Sequence, residues 1–159
     1  MRFREVARKK QSLTKEQMVN LLQNEKRGVL SLYGENGYPY GVPMNYWYNE
    51  ENGCLYFHSG KTGHKIDALA VNNKVSFCVY DEGYRKDGEW ALNISSVIVF
   101  GTIHIVEDVE KAVEIYRALS LKFTSDIKYI DSEIENFAKA TLCYELRPEH
   151  MTGKMVNES

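Results

Sequence analysis

The residues best suited to chemistry lie in one short run, His58-Ser59-Gly60-Lys61-Thr62-Gly63-His64-Lys65. It holds two imidazoles, two ammonium groups and two hydroxyls, spaced by two glycines. Gly60 and Gly63 let the backbone bend tightly and let a ligand approach closely. Cations collected at such a bend suit an anion, and phosphate is the usual one. The G-x-x-x-x-G-K-[ST] spacing of a Walker loop is absent. A plain strand–turn–helix with solvated lysines and histidines fits the same residues.

Several elements must position this run. Leu55, Tyr56 and Phe57 read as the end of a buried strand, which starts at Cys54. Thr62 is the expected N-cap of a helix from Gly63 to about Asn72, with Ile66, Leu69 and Ala70 on its inner side. His64 and Lys65 then occupy the first turn, where the helix dipole favours acids, and an anion bound there resolves the conflict. Upstream, a strand over 28–33 turns at Gly34-Glu35-Asn36-Gly37, a strong hairpin signal, and returns over 38–48. Pro39 and Pro43 cannot donate to a ladder, so the return strand is an edge or is bulged near Pro43. That would leave amides such as those of Met44 and Asn45 free for a ligand. A simple edge strand blunted by proline gives the same pattern.

The remaining chain reads in order. Residues 1–11 form a charged arm, either frayed or packed on a partner subunit. Thr14 and Gln17 make a capping box, and Leu13 can staple to Met18 at the head of a helix ending near Asn24. A fourth strand spans 74–81, and residues 82–92 form a polar loop carrying an exposed Trp90. A fifth strand spans 93–106 with a bend at Gly101. Asp108 caps a helix with Val109, Ala112, Val113, Tyr116 and Leu119 on one face. A second helical stretch, 130–139, presents Ile130, Ile134, Phe137 and Ala138. A sixth strand covers 141–147, and a tail follows from Pro148, with a turn at Thr152-Gly153-Lys154. Hairpin-linked strands predict a mainly β (α+β) fold: a six-stranded antiparallel barrel with flanking helices, in one domain over 1–159.

Composition narrows the function classes. The 159 residues are 43% hydrophobic and 26% charged, ordinary for a soluble globular protein. A formal net charge of -2 gives no basic footprint for nucleic acid. No apolar run reaches membrane length, and the basic N-terminus lacks the apolar core of a signal peptide. Three scattered cysteines (Cys54, Cys78, Cys143) predict reduced thiols and a cytoplasmic protein. No metal-ligand spacing joins the loop acids to a histidine. Eleven tyrosines suit a half-buried sheet or an aromatic-lined pocket.

Four segments in order carry a resemblance: Gly37-Tyr38-Pro39-Tyr40-Gly41-Val42-Pro43-Met44-Asn45-Tyr46, Tyr56-Phe57-His58-Ser59, Gly63-His64-Lys65 and Ser96-Val97-Ile98-Val99-Phe100-Gly101. Together they resemble the flavin-binding split barrels of the pyridoxamine 5'-phosphate oxidase-like superfamily, and within it the nitroimidazole-resistance (Nim) branch. The similarity runs from about Leu13 to Lys154.

The resemblance implies a homodimer with FMN at the interface. Val42, Pro43, Met44, Asn45 and Tyr46 would lie along the flavin ring, using backbone amides on its polar edge. His58, Ser59, His64 and Lys65 would hold the phosphate, Lys61 and Gly63 would be further cofactor-binding residues, and Trp90 and Ser96 would reach the flavin from the second subunit. Where the oxidases typically carry Arg-Lys, this chain has His64-Lys65. The bidentate clamp of an arginine is missing, FMN affinity should respond to pH through His64, and FAD stays open as the cofactor. The substrate-phosphate residues of the true oxidases are not found, so pyridoxamine phosphate oxidation is not expected. The implied activity is reduction of a nitro compound or another small electron acceptor, with no catalytic proton donor named. The alternatives are a flavin-binding stress protein without turnover and a haem-binding split barrel.

Overall fold

A computed structural model describes residues 2–159, apart from the side chains at positions 137 and 138. The expected roles of Phe137 and Ala138 in a helix face lie outside the described residues. Among the described residues seven strands form one antiparallel sheet. They are β1 (Arg27–Tyr33), β2 (Pro39–Asn45), β3 (Trp47–Tyr48), β4 (Leu55–Gly60), β5 (Lys74–Tyr80), β6 (Asn93–Ile105) and β7 (Thr141–Asn157). The helices are α1 (Lys15–Asn24), α2 (His64–Val71), α3 (Val109–Leu121) and α4 (Ile127–Phe137).

The strand order is β2-β1-β5-β6-β7-β4-β3. β2 and β3 stand at opposite edges, yet one residue, Tyr46, joins them. The sheet must therefore curl until its edges meet at Tyr46, which is fully buried. This is why the expected single strand over 38–48 is two strands and the barrel has seven rather than six. The predicted proline edge is there: β2 pairs only with β1, setting Val29 opposite Pro43 and Gly28 opposite Met44.

Inside the barrel Leu30, Phe57, Phe77, Val97 and Val99 pack with Leu22 of α1 and Ala68 of α2, so the two helices close its interior. Phe77 meets Tyr46 and Phe57 edge-on, with ring centroids 5.1 and 5.0 Å apart. A smaller core lies outside, where Ile115 of α3 packs on Tyr56 and Cys143. Amphipathic helices bury one stripe each, and here the stripes find different faces of one sheet.

Local signals set the helix starts. Thr14 Oγ1 accepts from the Gln17 amide and Gln17 Oε1 accepts from the Thr14 amide, completing the capping box. Asp108 accepts from the Lys111 amide at the head of α3. Thr14→Ala is expected to cost about 1 kcal/mol of stability; urea unfolding checks it, and no loss would mean that the cap contributes nothing.

Two expectations change. Residues from Pro148 on are no tail, because β7 continues to Asn157. Pro148 sits opposite Gly101 and His150 opposite Phe100, so Glu149 is an extra residue in a bulge. A bulge is a place where a sheet tolerates proline, and the bend predicted at Gly101 falls there. A side chain at Gly101 would collide with the Arg147 carbonyl. The N-terminal arm folds onto its own sheet: Phe3 stacks on His150 at 5.1 Å, and the Leu13 amide donates to the Gly153 carbonyl.

Candidate functional site

β4 runs straight into the bend that leads to α2, and both are held by apolar packing. Phe57 is fully buried in the barrel, which turns His58 to the opposite, outer face. Ala68 and Leu69 seat α2 in the interior core. The N-cap is Gly63 rather than Thr62. Its φ of 139° and ψ of 170° lie in a region that only glycine enters readily. Nothing lies within 4 Å of where a Cβ would sit, so the space over the helix start is open.

A helix start leaves backbone donors unpaired. The Ile66 and Asp67 amides bond back to the Gly63 carbonyl, whereas those of His64 and Lys65 find no acceptor among the described residues. Lys65 is half-buried and its Nζ lies 3.7 Å from the Met44 sulfur. Among the described residues it has no carboxylate partner; Asp67, the acid of that turn, is exposed. Burial pulls the Lys65 pKa down. An ammonium held against a thioether beside unpaired amides is a site short of an anion.

Around this centre His64, exposed, stacks on Tyr40 with ring centroids 4.2 Å apart. His58 is half-buried, its ring 5.3 Å from that of Tyr116. Burial first, and then the Lys65 ammonium, hold the His58 pKa below its ordinary value. Ser59 is buried and its hydroxyl donates to the Gly60 carbonyl at 3.0 Å. The Tyr144 hydroxyl, buried inside the barrel, has no hydrogen-bond partner among the described residues. Lys61 is exposed on the bend.

β2 brings its edge to the same place, since Met44 touches Lys65 and Tyr40 touches His64. Val42 and Asn45 are half-buried and Pro43 exposed along that edge. Tyr46 is locked at the seam. Its hydroxyl donates to the Leu22 carbonyl at 2.7 Å, and Lys122 donates to the carbonyls of Tyr46 and Glu25 at 2.8 and 2.6 Å. The same Nζ lies 3.9 Å over the Tyr46 ring. Burial brings the Lys122 pKa down to about 8.

Thus the fold gathers the β2 edge, the end of β4 and the start of α2. It does not bring Trp90 or Ser96 to them within one chain. Trp90 is 74% exposed on the β5–β6 loop. Ser96 lines a cavity of about 500 Å³ between the N-terminal arm and the β6–β7 face, with Arg4, Arg8, Ile98, Thr152 and Lys154. Sequence reasoning missed Tyr116 and Lys122 as site neighbours. Tyr116 stood on the apolar face of its helix, which was a signal for packing but not for what it packs on. Lys122 reaches a carbonyl 76 residues away, and no local pattern encodes that.

A second polar cluster lies on the outer face under α3. The Glu145 carboxylate, buried, accepts from Tyr56 at 2.7 Å, Lys111 at 2.8 Å and Arg147 at 2.7 Å. Burial would push its pKa up, but the hydrogen bonds from Lys111, Arg147 and Tyr56 prevail and hold it at about 2. All three cysteines are free thiols. Among the described residues no three His, Cys, Asp or Glu side chains converge on a metal position, and no helix is long and apolar enough to cross a membrane.

The sequence profile of the pyridoxamine 5'-phosphate oxidase family matches residues 14–155. Among solved structures, a Bacteroides thetaiotaomicron protein provisionally named a 5-nitroimidazole antibiotic resistance protein superposes with a TM-score of 0.79 at 22% identity, covering 92% of this chain and 87% of its own. An FAD binding protein from Mycobacterium smegmatis gives 0.67 at 21% identity, covering 93% and 99%. An FAD and heme binding protein from the same organism gives 0.72 at 20% identity, covering 94% and 74%. At these identities the structures establish a shared fold. No curated protein is matched by the sequence.

Proposed function

Because the chain belongs to the pyridoxamine 5'-phosphate oxidase family, we propose that it is a flavin-binding oxidoreductase that holds FMN at the junction of β2, β4 and α2. The observation that carries this reading is Lys65, a half-buried ammonium that among the described residues has no carboxylate partner, beside two helix-start amides without an acceptor there and an open Gly63. A phosphate there would accept from the amides of His64 and Lys65 and from the Lys65 side chain, with Ser59, Lys61 and His58 at its rim. The β2 edge from Val42 to Asn45 would supply backbone groups to the flavin ring. Tyr46, fixed by Lys122 and by the Leu22 carbonyl, would hold that edge in register.

The flavin, when bound, supplies the electron transfer. The protein's work is to dock the phosphate, align the ring on an unpaired strand edge and leave one face to the acceptor. A nitro compound or another small electron acceptor fits this role, and the likeness to the Bacteroides protein supports the nitro reading. FMN is the expected cofactor, and the FAD binding relatives keep FAD as the other candidate.

The test is the absorbance spectrum of the purified protein, with the mass of any released ligand and bleaching by NADH or NADPH. A flavin spectrum that bleaches and then recovers with a nitro compound supports the proposal. A bound flavin that never turns over leaves a binding protein, and a Soret band in place of a flavin spectrum means a haem protein.

Trp90 and Ser96 lie away from this junction, and their place in the site requires a second copy of the chain. Tyr80, Tyr84 and Met155 are exposed as well, with the Tyr84 hydroxyl 3.9 Å from the Met155 sulfur. Sedimentation is expected to show a dimer, and a flavin-loaded monomer would remove both residues from the site.

A further inference from the structure

We propose that the cavity between the N-terminal arm and the outer face of β6 and β7 is a binding site for an aliphatic carboxylate. The inference stands apart from the flavin reading, and Ser96 is the one residue the two share.

Strand alternation builds the floor of this cavity. Val97 and Val99 are fully buried in the barrel, so Ser96, Ile98 and Phe100 turn to the outer face. The register sets Lys154 opposite Ser96, Thr152 opposite Ile98 and His150 opposite Phe100. Directly opposed residues share a face, so these side chains form one outward row. The arm crosses the row and is tied down at both ends. Phe3 covers the far pair, its ring 5.1 Å from His150 and 5.5 Å from Phe100. At the other end Ser12 pairs with Lys154 in a single β-bridge, and the Leu13 amide donates to the Gly153 carbonyl at 2.9 Å. Between the two ties the arm and the sheet leave the cavity of about 500 Å³. That volume suits a small molecule.

The lining combines two chemistries. Val6, Ile98 and Val156 are aliphatic, and among the described residues no aromatic side chain lines the cavity. Such a surface suits a flexible chain and offers no platform for a stacked ring. Arg4, Arg8 and Lys154 line the cavity too, and among the described residues none of them has a carboxylate partner. The one acid of the lining, Glu5, has its Oε1 3.6 Å from His150 Nε2. The whole chain carries a net charge of -2, so this gathering of cations is local. A carboxylate with an aliphatic body answers both chemistries. The guanidinium forks match its two oxygens, and its chain lies on Ile98 and Val156.

The experiment is calorimetric titration of decanoate, below its micelle-forming concentration, into the full chain. One decanoate per chain is expected. Its binding should weaken as salt is raised, because the three cations are exposed and their field is screened. Decyltrimethylammonium, with the same chain and the opposite charge, should not bind. Arg4→Gln combined with Arg8→Gln should weaken decanoate binding about tenfold. Both arginines are exposed, so the double variant should unfold at the wild-type temperature. Lys65→Ala, at the head of α2, should bind decanoate as the wild type does.

Equal binding of the two amphiphiles would reduce the cavity to an apolar patch and overturn the proposal. Decanoate binding that follows Lys65 instead of the two arginines would overturn it as well, since the anion would then sit on α2. If decanoate does not bind and the double variant dissociates a dimer in sedimentation, the arginines serve a contact between copies of the chain, and the carboxylate site is refuted. No decanoate binding and no change in assembly refutes it outright. The flavin reading has its own test in the absorbance spectrum and survives each of these outcomes.

Discussion

Replacing Lys65 with alanine is expected to weaken FMN binding by ~1.5–3 kcal/mol, roughly ten- to hundredfold. The figure is that of a charge-assisted hydrogen bond to phosphate in a partly buried place. Lys65 contacts the Met44 sulfur and no carboxylate among the described residues, so its removal breaks no internal ion pair. The folded protein without flavin should therefore be as stable as the wild type, or slightly more so, because a desolvated ammonium is gone. Riboflavin, which lacks the phosphate, should bind wild type and variant alike. Fluorescence titration with both ligands, alongside thermal unfolding of the flavin-free proteins, measures each part. Equal FMN occupancy in the two proteins would refute the phosphate assignment. A fall in FMN binding matched by a fall in the unfolding temperature would assign Lys65 to the fold instead.

The second large effect concerns Glu145. Its carboxyl is held at about 2 in the folded protein against an ordinary value of 4.5. A depressed carboxylate contributes stability that is fully present above the unfolded value and is lost as pH falls through the folded one. The window is therefore pH 4.5 down to about 2, and the contribution is on the order of 3 kcal/mol at neutral pH. Glu145→Gln keeps the size and can still accept from Tyr56, but it gives up both ion pairs. Urea unfolding is expected to show the variant weaker by about 2–3 kcal/mol at pH 7 and level with the wild type near pH 2. A gap of equal size at both pH values would mean that packing, not charge, is what the variant changes. Because Lys111 belongs to α3 and Arg147 to β7, the same cluster pins that helix to the sheet.

Local signals in the chain were faithful where their physics is local. The capping box at Thr14 and Gln17, the Asp108 cap, the edge strand around Pro39 and Pro43 and the bend at Gly101 each depend on a few neighbouring residues. The grouping of His58, Ser59, Gly63, His64 and Lys65 was equally legible, because one strand and the next helix carry them all. What stayed hidden depends on closure. The break at Tyr46 exists because two sheet edges meet there, and nothing in Asn45-Tyr46-Trp47 announces it. Pro148 looked like a terminator because a strand normally rejects proline, and only its place opposite Gly101 shows the bulge that admits it. Thr62 was favoured as a cap for its hydroxyl, but the φ of 139° at the helix entrance requires glycine. Lys122, which ties α3 to the seam, is an ordinary lysine in sequence.

β7 has a bearing on biosynthesis. It pairs with β6 along one side and with β4 along the other, and so joins the two halves of the sheet. On the ribosome, every strand up to β6 and both helices that close the interior emerge before it does. Until its residues clear the exit tunnel, β4 has only the two-residue β3 as a strand neighbour, and β6 presents a bare edge. The strand that carries His58 and Ser59 thus gains its long neighbour only once β7 has been made, and on the proposed reading a flavin would be loaded after translation of that segment, not during it.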